Sequence, residues 1–118
     1  MIIRLSIPFP PSINRLWRVG RGGRMYRSKV YEDWREEAGW SIKAQSKGQA
    51  VTGGYKLSVL AKRPDKRRRD LDNISSKAVN DLLQHVGVVV DDTFCHWVEA
   101  RWVKEGDPFV VTVEAMDE

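Results

Sequence analysis

The chain has 118 residues, which fits one domain with a modest core, and its 42% hydrophobic and 31% charged residues are ordinary for a soluble globular protein. No apolar run approaches the roughly 20 residues of a membrane span, and the opening residues lack the long apolar segment of a signal peptide. The single cysteine, Cys95, excludes an internal disulfide and suits a reducing cytoplasm; with His85 and His96 it does not give a zinc spacing.

The net charge of +4 conceals a strong asymmetry between the two halves of the chain. Residues 1–69 carry seventeen Lys/Arg against five Asp/Glu, whereas residues 70–118 carry three against eleven. The first acidic residue is Glu32, and seven basic residues precede it. This pattern favours a basic half that binds a polyanion and an acidic half that holds metal cations, although the two halves could also simply attract each other.

The first predicted elements are a strand, a basic loop and a helix. Alternating apolar residues predict a strand over residues 2–7, which the prolines of residues 8–11 end. Residues 13–28 are predicted to be a mobile loop, because three glycines in four residues argue against a helix. Apolar residues spaced four apart predict a helix over residues 29–47, with Ser28 as its N-cap. The arginines of the loop recur every third position: Arg15, Arg18, Arg21, Arg24 and Arg27.

The second half of the chain contains one more helix and several strands. Alternation predicts a strand over residues 55–62, and one apolar face predicts a helix over residues 74–86 with Gly87 as its C-cap. Val88-Val89-Val90 is interpreted as a short buried strand that runs into Asp91 and Asp92. Two closing strands are predicted near residues 97–104 and 109–115.

The predicted order is therefore β-α-β-α-β-β-β in a single domain over residues 1–118. This order indicates an α+β fold of two layers, a mixed sheet covered by two main helices. A two-layer sheet of this size leaves one face to bury, which favours a homodimer.

Two pairs of aspartates are the candidates for chemistry. Asp70 and Asp72 flank one leucine, so both side chains point the same way if the segment is extended. Two such carboxylates 4 Å apart repel by about 4 kcal/mol at an effective dielectric near 20, which a proton, an arginine or a divalent cation offsets. A crossover through the intervening helix is expected to bring Asp91 and Asp92 back beside them. The group would resemble the metal centres of phosphodiester hydrolases.

Structural explanations compete with this one. Asp72 or Asn73 could be a helix N-cap, and Asp70 could pair with one of the preceding arginines. Lys77 could pair with Asp81, four residues later on the helix. The arginine-rich loop could be merely solvated and flexible.

The segment Arg63-Pro64-Asp65-Lys66-Arg67-Arg68-Arg69-Asp70-Leu71-Asp72-Asn73, followed by a helix and Val90-Asp91-Asp92, resembles the RusA family of Holliday junction resolvases. The N-terminal Pro8-Phe9-Pro10-Pro11-Ser12-Ile13-Asn14-Arg15 is similar to that family as well. The resemblance implies a homodimeric, Mg²⁺-dependent endonuclease, often encoded by phages or prophages. Such an enzyme cuts symmetrically at four-way DNA junctions with some preference for local sequence.

The family's functional residues transfer by motif. Asp70 and Asp72 match its metal-binding acids, and its third acid falls on Asp92, with Asp91 beside it. The family's helical lysine corresponds to Lys77, which lies one position later than the usual spacing. One residue turns a helix by about 100°, so the role of Lys77 depends on how the first turn is built.

The leading hypothesis is a cytoplasmic, nucleoid-associated enzyme that hydrolyses branched DNA with Mg²⁺, for which Mn²⁺ is a possible substitute. A nuclease acting on another DNA or on RNA is the enzymatic rival. A non-catalytic binding protein that uses only the charge asymmetry is the other alternative. The predicted DNA-binding residues are the five loop arginines together with Lys66, Arg67, Arg68 and Arg69.

Overall fold

A computed structural model describes residues 1–66 and 69–116 of the chain. Two of the predicted DNA-binding residues, Arg67 and Arg68, lie outside the described residues. Within that part of the chain, neither helix combines the length and the apolar character needed to cross a lipid bilayer.

Four strands form the main sheet, in the order β1-β6-β4-β5. The central strands β4 (Tyr55–Lys62) and β6 (Phe109–Ala115) are antiparallel to each other, and β1 (Ile2–Ser6) pairs antiparallel with β6. The edge strand β5 (Cys95–Val103) runs parallel to β4. The sheet is mixed, as predicted. A helical crossover joins the parallel strands β4 and β5, whereas both antiparallel pairs, β1 with β6 and β4 with β6, join strands that are distant in sequence.

Both helices contribute to one hydrophobic core on one face of this sheet. Helix α1 (Lys29–Ser46) and helix α2 (Ser76–His85) bury apolar side chains against the inward residues of β4, which alternate along the strand. The opposite face of β4 is only partly covered. The two layers confirm the predicted α+β class.

The predicted mobile loop at residues 13–28 is wrong. Strand β2 (Trp17–Val19) pairs antiparallel with strand β3 (Met25–Arg27), so the segment is a β-hairpin outside the main sheet. The three glycines that excluded a helix instead make the turn, where Gly22 and Gly23 have φ angles of 73° and 76°. The observed order is therefore β-β-β-α-β-α-β-β and not β-α-β-α-β-β-β.

The predicted strand at residues 88–90 is also wrong. Only Val89 forms a bridge, with Val51, while Val88 is buried and Val90 is 57% exposed. Three valines in a row predict a buried strand by composition, but among the described residues their pairing stops at the single bridge to Val51. The last predicted strands are confirmed, with β5 beginning two residues earlier than expected.

Candidate metal centre and nucleic-acid interface

Asp70 begins a tight turn between β4 and α2. The turn is a 3₁₀ helix over Leu71–Asn73, and the Asp72 backbone N–H donates to Asp70 Oδ1 at 3.2 Å. The extended conformation expected for residues 70–72 is wrong, because the chain turns here. Both carboxylates are exposed, and that of Asp72 has no hydrogen bond or ion pair with any residue in the described ranges. Their oxygens are therefore accessible to a hard cation.

Helix α2 starts after this turn, with Ser75 as its N-cap. Ser75 Oγ accepts a hydrogen bond of 3.0 Å from the Ala78 backbone N–H, so neither Asp72 nor Asn73 has the capping role considered above. Lys77 lies exposed in the first helical turn.

The alternative pairing of Lys77 with Asp81 is wrong. Asp81 Oδ2 accepts a hydrogen bond of 2.6 Å from Arg35 Nη1, and this ion pair links α2 to α1. The Arg35 side chain is 9% exposed, so this guanidinium needs its partner. Lys77 is exposed and has no ion pair with any residue described.

Asp91 and Asp92 lie in a second 3₁₀ turn, between α2 and β5. The Asp91 carboxylate accepts hydrogen bonds from the Thr93 hydroxyl at 2.7 Å and from the Thr93 backbone N–H at 2.9 Å. These bonds lower the pKa of Asp91 below its ordinary value. The Asp92 backbone N–H donates to Gln84 Oε1 at 2.8 Å, which ties this turn to the last turn of α2.

Tyr55 connects this acidic turn to the core. It is fully buried, and its hydroxyl donates to Asn80 Oδ1 at 2.7 Å. Burial raises the pKa of Tyr55, and the negative charges of Asp92 and Asp91 raise it further. The Tyr55 phenol therefore stays neutral and serves as a structural hydrogen-bond donor.

The structure does not bring the two acidic pairs together within one chain. Asp70 and Asp72 precede the first turn of α2, whereas the Asp92 backbone is bound to its last turn. The ten residues of α2 span about 15 Å at 1.5 Å per residue. Among residues 1–66 and 69–116, no three His, Cys, Asp or Glu side chains are grouped closely enough to hold a metal ion. The identity of the third ligand remains a prediction.

An open cleft of about 1140 Å³ lies beside Asp70, between the proline-rich turn and α1. Its charged lining consists of the arginines Arg15 and Arg69 and the acidic residues Asp33, Glu37 and Asp70. Its aromatic wall includes Phe9 and Trp102, whose rings stack with centroids 6.2 Å apart. Sequence reasoning did not identify this cleft, although the prolines that end β1 were its signal.

The predicted DNA-binding residues fall into two groups. Arg69 pairs with Asp65 at 2.7 Å and not with Asp70, and Lys66 is exposed nearby. The five arginines of residues 13–28 lie on or next to the hairpin and are exposed, and Arg27 forms a long ion pair of 3.4 Å with Glu32. The second group is Arg15, Arg18, Arg21, Arg24 and Arg27. Both groups remain predictions as DNA contacts.

The chain matches a known protein family over most of its length. Residues 8–114 match the family described as endodeoxyribonuclease RusA. The chain belongs to the RusA family. The enzyme class inferred from the sequence is thereby confirmed, and a protein that only binds nucleic acid is disfavoured.

Relatives of this RusA-family protein come from phages and bacteria. The crossover junction endodeoxyribonuclease of Enterobacteria phage HK97 is 37% identical over 86 residues, which cover 73% of this chain and 70% of the relative. That of Enterobacteria phage 82 is 35% identical over 88 residues, or 75% and 72% of the two chains. That of Aquifex aeolicus (strain VF5) is 30% identical over 87 residues, or 74% and 67%.

Proposed function

We propose that this RusA-family protein resolves four-way DNA junctions by metal-dependent hydrolysis of phosphodiester bonds. The observation that carries the proposal is the position of Asp70, at the edge of a cleft that two arginines also line. Arginine binds phosphate through a planar fork of donors, and carboxylate oxygens suit a divalent cation that phosphate also ligates. The cleft thus combines the two requirements of a phosphodiester hydrolase.

The residues present fit Mg²⁺, with Mn²⁺ as a substitute. Asp70 and Asp72 supply hard oxygen donors that the structure leaves exposed. Because the two acidic pairs lie at opposite ends of α2 within one chain, Asp92, with Asp91 beside it, would supply the third carboxylate from a second subunit. When bound, the ion would polarise the phosphate and lower the pKa of an attacking water. Lys77, which has no described carboxylate partner, would place its positive charge against the phosphate oxygens.

The DNA-binding residues act before the chemistry. The hairpin arginines and the residues from Lys66 to Arg69 would hold the phosphates of the arms and set the position of the branch point. Binding should therefore weaken steeply as salt rises, because each neutralised phosphate releases counterions. A flat salt response would contradict this assignment.

We further propose a homodimer, which acts in the cytoplasm of a bacterial or phage-infected cell at the nucleoid. The sheet face away from the helices carries Trp97, which is 51% exposed and lies under the Lys56 ammonium at 3.9 Å from the ring centroid. A second subunit would bury this face, and two active sites related by twofold symmetry match the two cuts that a junction needs.

The decisive experiment incubates the protein with a synthetic four-way junction and a matched linear duplex, with and without Mg²⁺. We expect the parent to cut only the junction, and only with metal. Asp70→Asn should abolish cutting and keep junction binding, which the removal of one negative charge should strengthen. Asp107→Asn, at an exposed acid in the turn between β5 and β6, is the matched control and should cut normally. Cutting by Asp70→Asn at the parental rate would contradict the site assignment.

A second experiment addresses the separation of the two acidic pairs. Asp92→Asn and Asp91→Asn are compared by calorimetric Mn²⁺ binding without DNA and by junction cleavage. We expect Asp92→Asn to lose both Mn²⁺ binding and junction cleavage, and Asp91→Asn to retain more of each. A mixed dimer of Asp70→Asn and Asp92→Asn subunits then reports the origin of the ligands. Recovered cleavage would show that one site draws carboxylates from both subunits, whereas no recovery would show that each chain builds its own.

A further inference from the structure

The hairpin β2–β3 exposes an unusual amount of apolar surface. Outside the main sheet, Val19 is 67% exposed, Met25 63% and Tyr26 53%. A two-stranded hairpin is marginally stable alone, and an exposed apolar cluster ringed by polar residues indicates a binding surface. Its stability in the free protein therefore has to come from its attachment to the body.

That attachment is tight at the base of the hairpin. The Ser28 backbone N–H donates to the Leu16 carbonyl at 2.9 Å, and the Ser28 hydroxyl donates to the Arg15 carbonyl at 2.6 Å. Leu16 is buried, and Trp17 contacts Tyr31 of α1 edge to face, with ring centroids 5.9 Å apart. The base is thus fixed to the body while the tip projects from it.

The tip presents one apolar pair on one face. Val19 and Met25 are cross-strand partners, so their side chains lie side by side. The Gly20 backbone N–H donates to the Arg24 carbonyl at 2.7 Å and closes the turn behind them. The tip of the hairpin is therefore a two-stranded projection with exposed apolar side chains on one face.

The charge around this edge specifies the partner. Residues 13–28, which include the hairpin, contain five arginines, and no acidic residue precedes Glu32. A partner that matches both features is apolar and anionic at once. Exposed base planes flanked by phosphates have this chemistry, and apolar side chains such as Met are known to wedge between base steps in DNA.

We propose that Val19 and Met25 form a wedge that enters the branch point of the junction and holds its bases unstacked. This proposal rests on the proposed function and adds the device by which branched DNA is distinguished from linear duplex. Arg15, at the base of the hairpin, also lines the cleft that contains Asp70. A branch point held on the hairpin would therefore lie near the phosphate to be cut.

The test uses uncharged replacements of similar size. Val19→Thr keeps the β-branched shape, and Met25→Gln keeps the length, so the double variant removes apolarity while preserving charge and strand preference. Trp40→Ser removes an exposed apolar side chain on α1, 68% exposed, and serves as the control. A 2-aminopurine placed at the branch point reports unstacking by its fluorescence, measured with EDTA to prevent cleavage.

We expect the parent and Trp40→Ser to raise the fluorescence on binding, and the double variant to lose that rise. The double variant should also cut junctions at least tenfold more slowly, while its affinity for linear duplex changes less than twofold. Parental fluorescence and cleavage in the double variant would overturn the wedge without touching the proposed function. A change in its oligomeric state, measured by light scattering, would also overturn the wedge and identify the hairpin as a subunit contact. If the parent fails to cut any junction, the proposed function itself fails.

Discussion

The ion pair between Arg35 and Asp81 allows the structural and catalytic roles of neighbouring charges on α2 to be separated. In Asp81→Asn, the Arg35 guanidinium, 9% exposed, loses the negative charge of its partner. Two unit charges about 4 Å apart attract by about 4 kcal/mol at an effective dielectric of 20. Asp81 is 47% exposed, so water screens much of this energy, and the asparagine oxygen still accepts a hydrogen bond. We therefore expect a loss of about 1–2 kcal/mol in the free energy of unfolding.

For a chain of this length, about 1 kcal/mol corresponds to roughly 4 °C in Tm, so the expected decrease is about 4–8 °C. Lys77→Met should instead leave the stability nearly unchanged and impair cleavage. Because Lys77 has no partner among the described residues, its removal should change the free energy of unfolding by less than about 0.5 kcal/mol. Its removal should nevertheless reduce junction cleavage by about a hundredfold, the usual scale for a positioned charge in a transition state.

The assay pairs urea unfolding with single-turnover junction cleavage at a temperature where all variants are folded. Asp81→Asn should unfold at lower urea and cut normally, and Lys77→Met should unfold normally and cut poorly. Equal destabilisation by the two substitutions would mean that Lys77 and Asp81 pair after all. Normal cleavage by Lys77→Met would remove this lysine from the proposed mechanism.

Three further substitutions test other parts of the structure. Tyr55→Phe leaves the buried Asn80 amide oxygen without its donor, and calorimetry should show a loss of about 1–3 kcal/mol. Ser75→Ala removes the N-cap of α2 and should cost about 1 kcal/mol by urea unfolding; no loss would contradict the cap. Thr93→Val should raise the pKa of Asp91, measured by NMR titration, towards its ordinary 3.8. Because that pKa is lowered in the folded state, the two hydrogen bonds stabilise the parent protein above about pH 4, and this stabilisation is lost as the pH falls through the lowered pKa. The stability of Thr93→Val should therefore fall less over the same pH range.

The helices and most of the main-sheet strands were predictable from local pattern, because each buries one periodic face. Ser28 was correctly predicted as the N-cap of α1, where its hydroxyl accepts from the Tyr31 backbone N–H at 3.1 Å. The buried face of α1 differs slightly from the predicted one. Val30, which lies four residues before Trp34 in the predicted apolar spacing, is 38% exposed, whereas its neighbour Tyr31 is buried. Periodicity determines a face to within about one residue, and the neighbouring hairpin decides which residue is covered.

The hairpin and the candidate site were harder to predict for separate reasons. The strands of the hairpin are three residues long and rich in arginine, so their alternation is too short to outweigh the signal of the glycines. The aspartates were identified by residue type and spacing, but their relative positions depend on where a parallel crossover ends. The helix between the two acidic pairs was predicted from its local pattern, but the expected return of the second pair beside the first was wrong, because the two turns lie at opposite ends of α2.

One hydroxyl group joins two parts of this protein that the sequence presents as independent. Ser28 Oγ accepts from the first turn of α1 and donates to the Arg15 carbonyl at the base of the hairpin. Fraying of the helix start and release of the hairpin therefore break the same hydrogen bonds, so amide exchange at Tyr31 and at Ser28 should rise together. DNA that binds the hairpin and stabilises it would therefore slow amide exchange at the start of α1 without contacting that helix.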